Sequence, residues 1–253
     1  MKISMLLTYL MITSAVLFPA KQTSAWHDAT HMAVVKAAGL DSYVYLAVGA
    51  DMAKEKAGQV ETLNHYNNTP RGVSITPEMV LAQVRDYNKP GDRDGHLYGA
   101  IVAALNDYLL KGSSGKYAMY PLGYALHYLG DLSMPFHNIT YNAFNKTNHA
   151  ANDGVIEICG PRDEATEAKV ARLAAGIRKR MENLPVIQLS REVTGFNKEL
   201  ALQIAAIANN ASALGYALAD ATPPRTRLTE EEAYQQLAQS ARLLQAVAAA
   251  LIK

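Results

Sequence analysis

Apolar side chains recur along this chain every three to four residues, and the period rarely changes. Met32, Val35 and Ala38 mark one face of a first helix, with Asp28 or Thr30 available as its N-cap. Tyr43, Leu46, Val48 and Met52 carry the pattern into a second. Thr76-Pro77-Glu78 has the form of a helix start, with threonine capping and proline at the first helical position; Met79, Val80, Ala82 and Val84 follow. Residues 92–111 and 121–131 read as two largely buried helices. Residues 165–182, 192–219 and 229–252 read as three more, rich in good helix formers. Nowhere do β-branched and aromatic residues alternate for long enough to make a sheet. The pattern predicts an all-α, single-domain multi-helix bundle, with loops at 67–72, 88–91, 112–115, 136–148 and 222–227.

The first 25 residues break this pattern. Lys2 precedes an apolar run over residues 3–18, Pro19 interrupts it, and Thr23-Ser24-Ala25 offers small residues to a signal peptidase. The run is short for a membrane span, which needs about 20 apolar residues. Residues 1–25 are therefore expected to be a signal peptide and residues 26–253 the mature domain, secreted or periplasmic and beginning at Trp26. The last helix is amphipathic, which fits core packing better than membrane contact. Composition narrows the chemistry. The chain has 24 Lys+Arg against 23 Asp+Glu, so it lacks the basic surplus of bulk nucleic-acid binders, though contact with single phosphates stays open. Its one cysteine, Cys159, excludes an internal disulfide and a Cys-rich metal site, and is expected to be a small buried side chain. Any metal must be held by His, Asp, Glu or backbone atoms.

Seven histidines are present, and three of them fall between residues 127 and 149, interleaved with acids. His127 and Asp131 are four apart on a helical stretch, which puts both on one face, one turn apart, where they can chelate one ion. Pro135 then ends the helix and His137 follows. His149 and Asp153 repeat the spacing. Imidazole and carboxylate together suit a borderline divalent ion such as zinc. His27 and His96 fall outside this constellation.

The run Ala125-Leu126-His127-Tyr128-Leu129-Gly130-Asp131-Leu132-Ser133-Met134-Pro135-Phe136-His137 resembles the central motif of the zinc-dependent phospholipase C/P1 nuclease superfamily. Trp26 followed by His31, then Ala50-Asp51-Met52 and Leu63-Asn64-His65-Tyr66, resemble that family's other ligand segments in the same order. The resemblance implies three zinc ions in one cleft. One would take Asp51, His65, His127 and Asp131; a second His137, His149 and Asp153. The third would take the α-amino nitrogen and carbonyl oxygen of Trp26, with His31 and a shared Asp131. It also implies phosphodiester hydrolysis, in which a close zinc pair acidifies a water and the remaining ion binds phosphate oxygen. Asp51 would serve as ligand and is the candidate catalytic residue for orienting or deprotonating that water.

The short step from His137 to His149 resembles the phospholipase C branch, whereas the step from Trp26 to His31 resembles the nucleases. Met52 and Thr62 stand where choline-cleaving members carry aromatics, and Ala29 where they carry an acid, so no strong choline preference is expected. The expectation is a secreted, monomeric phospholipase C-type enzyme with transient membrane-surface contact. A single-strand nuclease is the alternative, and a non-catalytic helical zinc-binding protein is the alternative from another class.

Overall fold

Residues 26–111 and 117–252 are described by the computed structural model, and every regular element among them is helical. The expected signal segment and the expected 112–115 loop lie outside the described residues. Helix α1 (Asp28–Ala37) starts differently from expectation: His27 is its N-cap and makes no side-chain capping bond. Thr30 gives both its N–H (2.9 Å) and its hydroxyl (2.8 Å) to the carboxylate of Glu157, so a distant turn satisfies the helix start. The expected second helix divides into a 3-10 segment, Asp41–Val48, and α2 (Gly49–Ala57). Gly58, at φ 59, ends α2 and opens the short α3 (Gln59–Thr62).

Thr76 caps α4 (Pro77–Gln83) by accepting the Met79 N–H. Helix α5 (Leu97–Leu110) begins later than the apolar pattern suggested, because Gly95 turns the chain at φ 75 against Tyr66. Helix α6 (Met119–Asp131) begins earlier than Pro121, which sits in its first turn, where a backbone N–H has no partner to lose. A 3-10 turn, Pro135–His137, leads to α7 (Ala143–Asp153), which occupies much of the segment expected to be a loop. Three long helices complete the chain: α8 (Thr166–Met181), α9 (Val193–Asp220) and α10 (Glu230–Leu251). Glu192 caps α9, and Thr229 with Glu232 forms a capping box on α10.

Helix α6 sits in the middle, packed against α5, α1, α2, α10 and the 41–48 segment. Leu122, Leu126 and Leu129 on α6 are buried, each contributing about 1.5–3 kcal/mol of transfer free energy. One hydrophobic cluster runs from Trp26 to Leu251. Among the described residues, no helix is long and apolar enough to cross a membrane. The central placement of α6 brings its polar positions, His127 and Asp131, into the interior.

Candidate metal centre

His127 and Asp131 lie one turn apart on α6, both fully buried. The two oxygens of Asp131 face different histidines. Oδ1 lies 3.3 Å from His31 Nε2 and 3.8 Å from His137 Nδ1. Oδ2 lies 2.9 Å from His65 Nδ1 and 3.3 Å from His127 Nε2. Helix α1 supplies His31, α2 supplies Asp51, and the turn after α3 supplies His65. Asp51 Oδ1 is 3.7 Å from His65 Nδ1 and 3.6 Å from His127 Nε2. The 3-10 turn presents His137, whose ring meets that of His149 edge-on at 4.8 Å. On α7, His149 Nε2 stands 3.4 Å from Asp153 Oδ1.

Three groups result: His31, His127 and Asp131; Asp51, His65 and His127; and His137, His149 and Asp153. Within each, the potential ligand atoms lie within 4.8 Å of one another, so each group can hold a metal ion. Hydrogen bonds orient the rings. His127 donates Nδ1–H to the Ala47 carbonyl (2.6 Å), which leaves Nε2 facing the two aspartates. His137 donates Nδ1–H to the His65 carbonyl, leaving its Nε2 free.

The donor set fits a metal. Sixteen buried side-chain nitrogen and oxygen atoms among the described residues lack a hydrogen-bond partner, and ten belong to His31, Asp51, His127, Asp131, His149 and Asp153. Buried polar groups left unpaired cost about 1–3 kcal/mol each. So many in one place mark a site organised around a ligand. All are imidazole nitrogens and carboxylate oxygens, the set that suits zinc or a similar borderline ion.

The electrostatics divide these groups. Burial, aided by neighbouring imidazoles, lowers the pKa of His31 and His149 and brings His137 down to about 4, so these rings stay neutral with lone pairs available. Burial also opposes ionisation of Asp131, yet His127 and His137 hold its carboxyl well below the usual range. Asp51 is buried too, but His127, Lys54 and His65 bring it down to about 2. His127, despite its burial, is raised by Asp131 and Asp51. Asp153 is raised well above the usual value by burial and by Asp131.

Trp26 is fully buried. The next residue's N–H bonds the Asp153 carbonyl (3.2 Å), which ties the start of the domain to the end of α7. His27 is exposed. His96 is buried between Asn64 (2.9 Å) and Asp92 (3.3 Å), away from the groups. Cys159 is exposed rather than buried; its thiol donates to Val155 O in a short surface turn.

Two charged residues escaped the sequence reading. Lys54, buried on α2, places its ammonium 2.6 Å from Asp51 Oδ1, close enough for an ion pair. Its i, i+3 spacing from Asp51 was the available signal. Glu61 lies buried four residues before His65, with Oε1 3.2 Å from His65 Nε2. A cavity of about 210 Å³ opens onto the centre, lined by Lys54, Thr62, His65, Tyr66, Asn68, Phe136, His137, Tyr141 and His149. No protein-family model matches the chain, and comparisons with curated proteins and with solved structures give no match. Fold and site together define an all-helical protein with clustered His/Asp groups able to hold metal ions.

Proposed function

We propose that the protein is a secreted, zinc-dependent phosphodiester hydrolase of the phospholipase C/P1 nuclease type, acting as a monomer. The observation that carries this reading is the convergence of unpaired buried imidazole and carboxylate atoms around Asp131, beside a cavity that also holds a lysine. Asp51, His65, His127 and Asp131 would hold one zinc ion; His137, His149 and Asp153 a second; Trp26 through its terminal amine and carbonyl, His31 and Asp131 a third. Bound there, the ions would supply Lewis acidity toward phosphate oxygens and lower the pKa of water.

The chain's own residues supply the rest. Asp131, held ionised, offers one oxygen to each of two histidine sets and so keeps neighbouring charges in register. Lys54 presents a cation at the cavity, where it can bind an anionic phosphate oxygen. Among the three aspartates, Asp51 has the most open side chain, 12% exposed against 0% for Asp131 and 1% for Asp153. Both of its carboxylate oxygens are nonetheless covered, and its low pKa would suit orientation of a water more than proton storage.

A phospholipid head-group phosphodiester is the first substrate reading, because the short link from His137 to α7 resembles the phospholipase C branch. Exposed Met52 and Tyr141 could give transient contact with a membrane surface. The cavity lining contains three aromatics, Tyr66, Phe136 and Tyr141, but no carboxylate, so no strong preference for choline is expected. Single-stranded nucleic acid is the second reading, favoured by Tyr66 and Tyr141 in the cavity wall, where bases can stack. The test offers equal enzyme to mixed phospholipid vesicles and to single-stranded DNA. Diacylglycerol release in excess of nucleotide release supports the first reading, and the reverse supports the second. A zinc-loaded protein inert toward both would be a non-catalytic zinc-binding protein.

A further inference from the structure

Glu61 is a buried carboxylate that the hydrolytic reading leaves without a task. Its Oε1 accepts the Tyr128 hydroxyl at 2.6 Å and faces His65 Nε2 at 3.2 Å; its Oε2 faces Asn64 Nδ2 at 3.3 Å. Asn64 is fixed in turn by His96 Nε2 (2.9 Å) and by Asn88 (2.9 Å). The carboxylate is therefore locked by neutral donors, with one imidazole nitrogen directed at it. The opposite nitrogen of that ring, Nδ1, points at Asp131 and Asp51.

Two other rings of the centre are held differently. His127 and His137 give their spare N–H to backbone carbonyls, which are neutral. A charged acceptor raises the electron density of an imidazole more than a neutral carbonyl does, and so its strength as a donor to an ion on the far nitrogen. We propose that Glu61 is a positioning residue that fixes His65 with its proton on Nε2 and strengthens Nδ1 toward an ion shared with Asp51, His127 and Asp131. Tyr128 and Asn64 hold Glu61 in register for that task. This inference rests on the reading that the group holds a metal.

The test titrates stripped wild-type and Glu61→Gln chains with zinc against a chromophoric chelator, and with cobalt while the visible spectrum is followed. Glu61→Gln is expected to keep its helical circular dichroism, while one class of site weakens about 10- to 100-fold and its cobalt band shifts. The remaining sites are expected to be unchanged. Glu164→Gln, which removes a carboxylate paired with Arg172, is expected to alter no site. A folded Glu61→Gln with wild-type zinc affinity at every site overturns the proposal. Should Glu61→Gln fail to fold, Tyr128→Phe decides: loss of its 2.6 Å bond should weaken the same class of site, and unchanged affinity overturns the proposal. A wild-type chain that takes up neither zinc nor cobalt overturns the metal reading instead, so the two failures are distinct.

Discussion

The imidazoles of His31 and His127 lie face to face, with 3.8 Å between ring centroids and 12° between planes. Each directs Nε2 at a different oxygen of Asp131, at 3.3 Å in both cases. Two imidazolium rings could not share that spacing, since like charges at contact disfavour double ionisation. Burial followed by the proximity of His127 lowers the pKa of His31, so at least one of the two rings stays neutral beside Asp131. A carboxylate flanked by such rings is well suited to bridge two cations.

Asp131→Asn should therefore cost more metal than Asp153→Asn. An amide keeps the shape of the carboxylate but loses the charge and one acceptor oxygen, and Asp131 lies against histidines of all three groups while Asp153 faces one histidine, His149. Elemental analysis of the purified chains should show a larger zinc deficit in Asp131→Asn, and hydrolysis of a simple phosphodiester should follow the same order. Chelator should abolish the wild-type activity, and zinc should restore it. Equal zinc content in the two variants would contradict the bridging role.

Gly130 controls the same pair from the other side. A Cβ added there would lie 2.5 Å from His31 Nδ1 and 2.9 Å from its Cε1. Helix propensity and packing then predict opposite signs. In a helix interior, alanine is favoured over glycine by about 1 kcal/mol, so Gly130→Ala would stabilise α6 if His31 could stay. The contact requires His31 to move, and the expected result is an unraised thermal midpoint with reduced zinc content. A stabilised variant with wild-type zinc content would show that the stacked arrangement of His31 is dispensable.

The long helices were legible because their apolar period is sustained and their caps are strong; Thr229 and Glu232 are an example. Helix α7 was not. Its sequence, AFNKTNHAAND, carries three asparagines and little apolar surface, so propensity argues against it. Side chains hold it in place instead: Asn142 caps it, Asn145 donates to the Phe136 carbonyl, and Asn152 donates to the Thr226 carbonyl. Within the site, the i, i+4 pairs His127–Asp131 and His149–Asp153 could be read from spacing alone. His31, Asp51 and His65 came only from the resemblance, because nothing local links two helices and a turn that meet in space. Glu61 and Lys54 were passed over since an acid or a lysine on a polar helix usually faces solvent.

Acid should destabilise the chelated protein. His137 is held neutral by burial down to about 4, against an ordinary value of 6.5, and His31 and His149 are lowered for the same leading reason. In the unfolded chain these rings take up protons near 6.5, so the unfolded state binds more protons in that window. Their contribution is complete above about pH 6.5 and is lost as pH falls toward 4; for His137 alone the full loss is about 3 kcal/mol. Asp131 and Asp51, held low, act in the same sense at lower pH. His127 and Asp153, both raised, act in the opposite sense, so the expected direction rests on the three lowered histidines together exceeding them. Thermal unfolding of the chelated chain should show a falling midpoint from pH 7 to 4.5. Zinc should move that fall to lower pH, because ions and protons compete for the same atoms. A midpoint that rises on acidification would rule this account out.

The first residue of the expected mature chain should matter through its main-chain nitrogen. Trp26 is fully buried, and the N–H of His27 bonds the Asp153 carbonyl at 3.2 Å, so the segment before α1 is pinned beside α7. Helix α1 follows at once and carries His31 to Asp131. A free α-amino group has a pKa near 8 and offers a lone pair to a metal at modest cost. A peptide nitrogen does not, because its lone pair is delocalised into the amide. One extra glycine before Trp26 would convert the former into the latter while leaving the buried indole in place. The expected result is a chain with the same helical content and thermal unfolding in chelator, but a lower zinc content and a lower rate of phosphodiester hydrolysis. The competing account is that Trp26 only anchors α1 through its side chain. It predicts that the added glycine is tolerated, and that truncating the indole, as in Trp26→Ala, lowers the unfolding midpoint of the chelated protein without removing a ligand. Equal zinc content and equal rate in the glycine-extended and trimmed proteins would decide for that account.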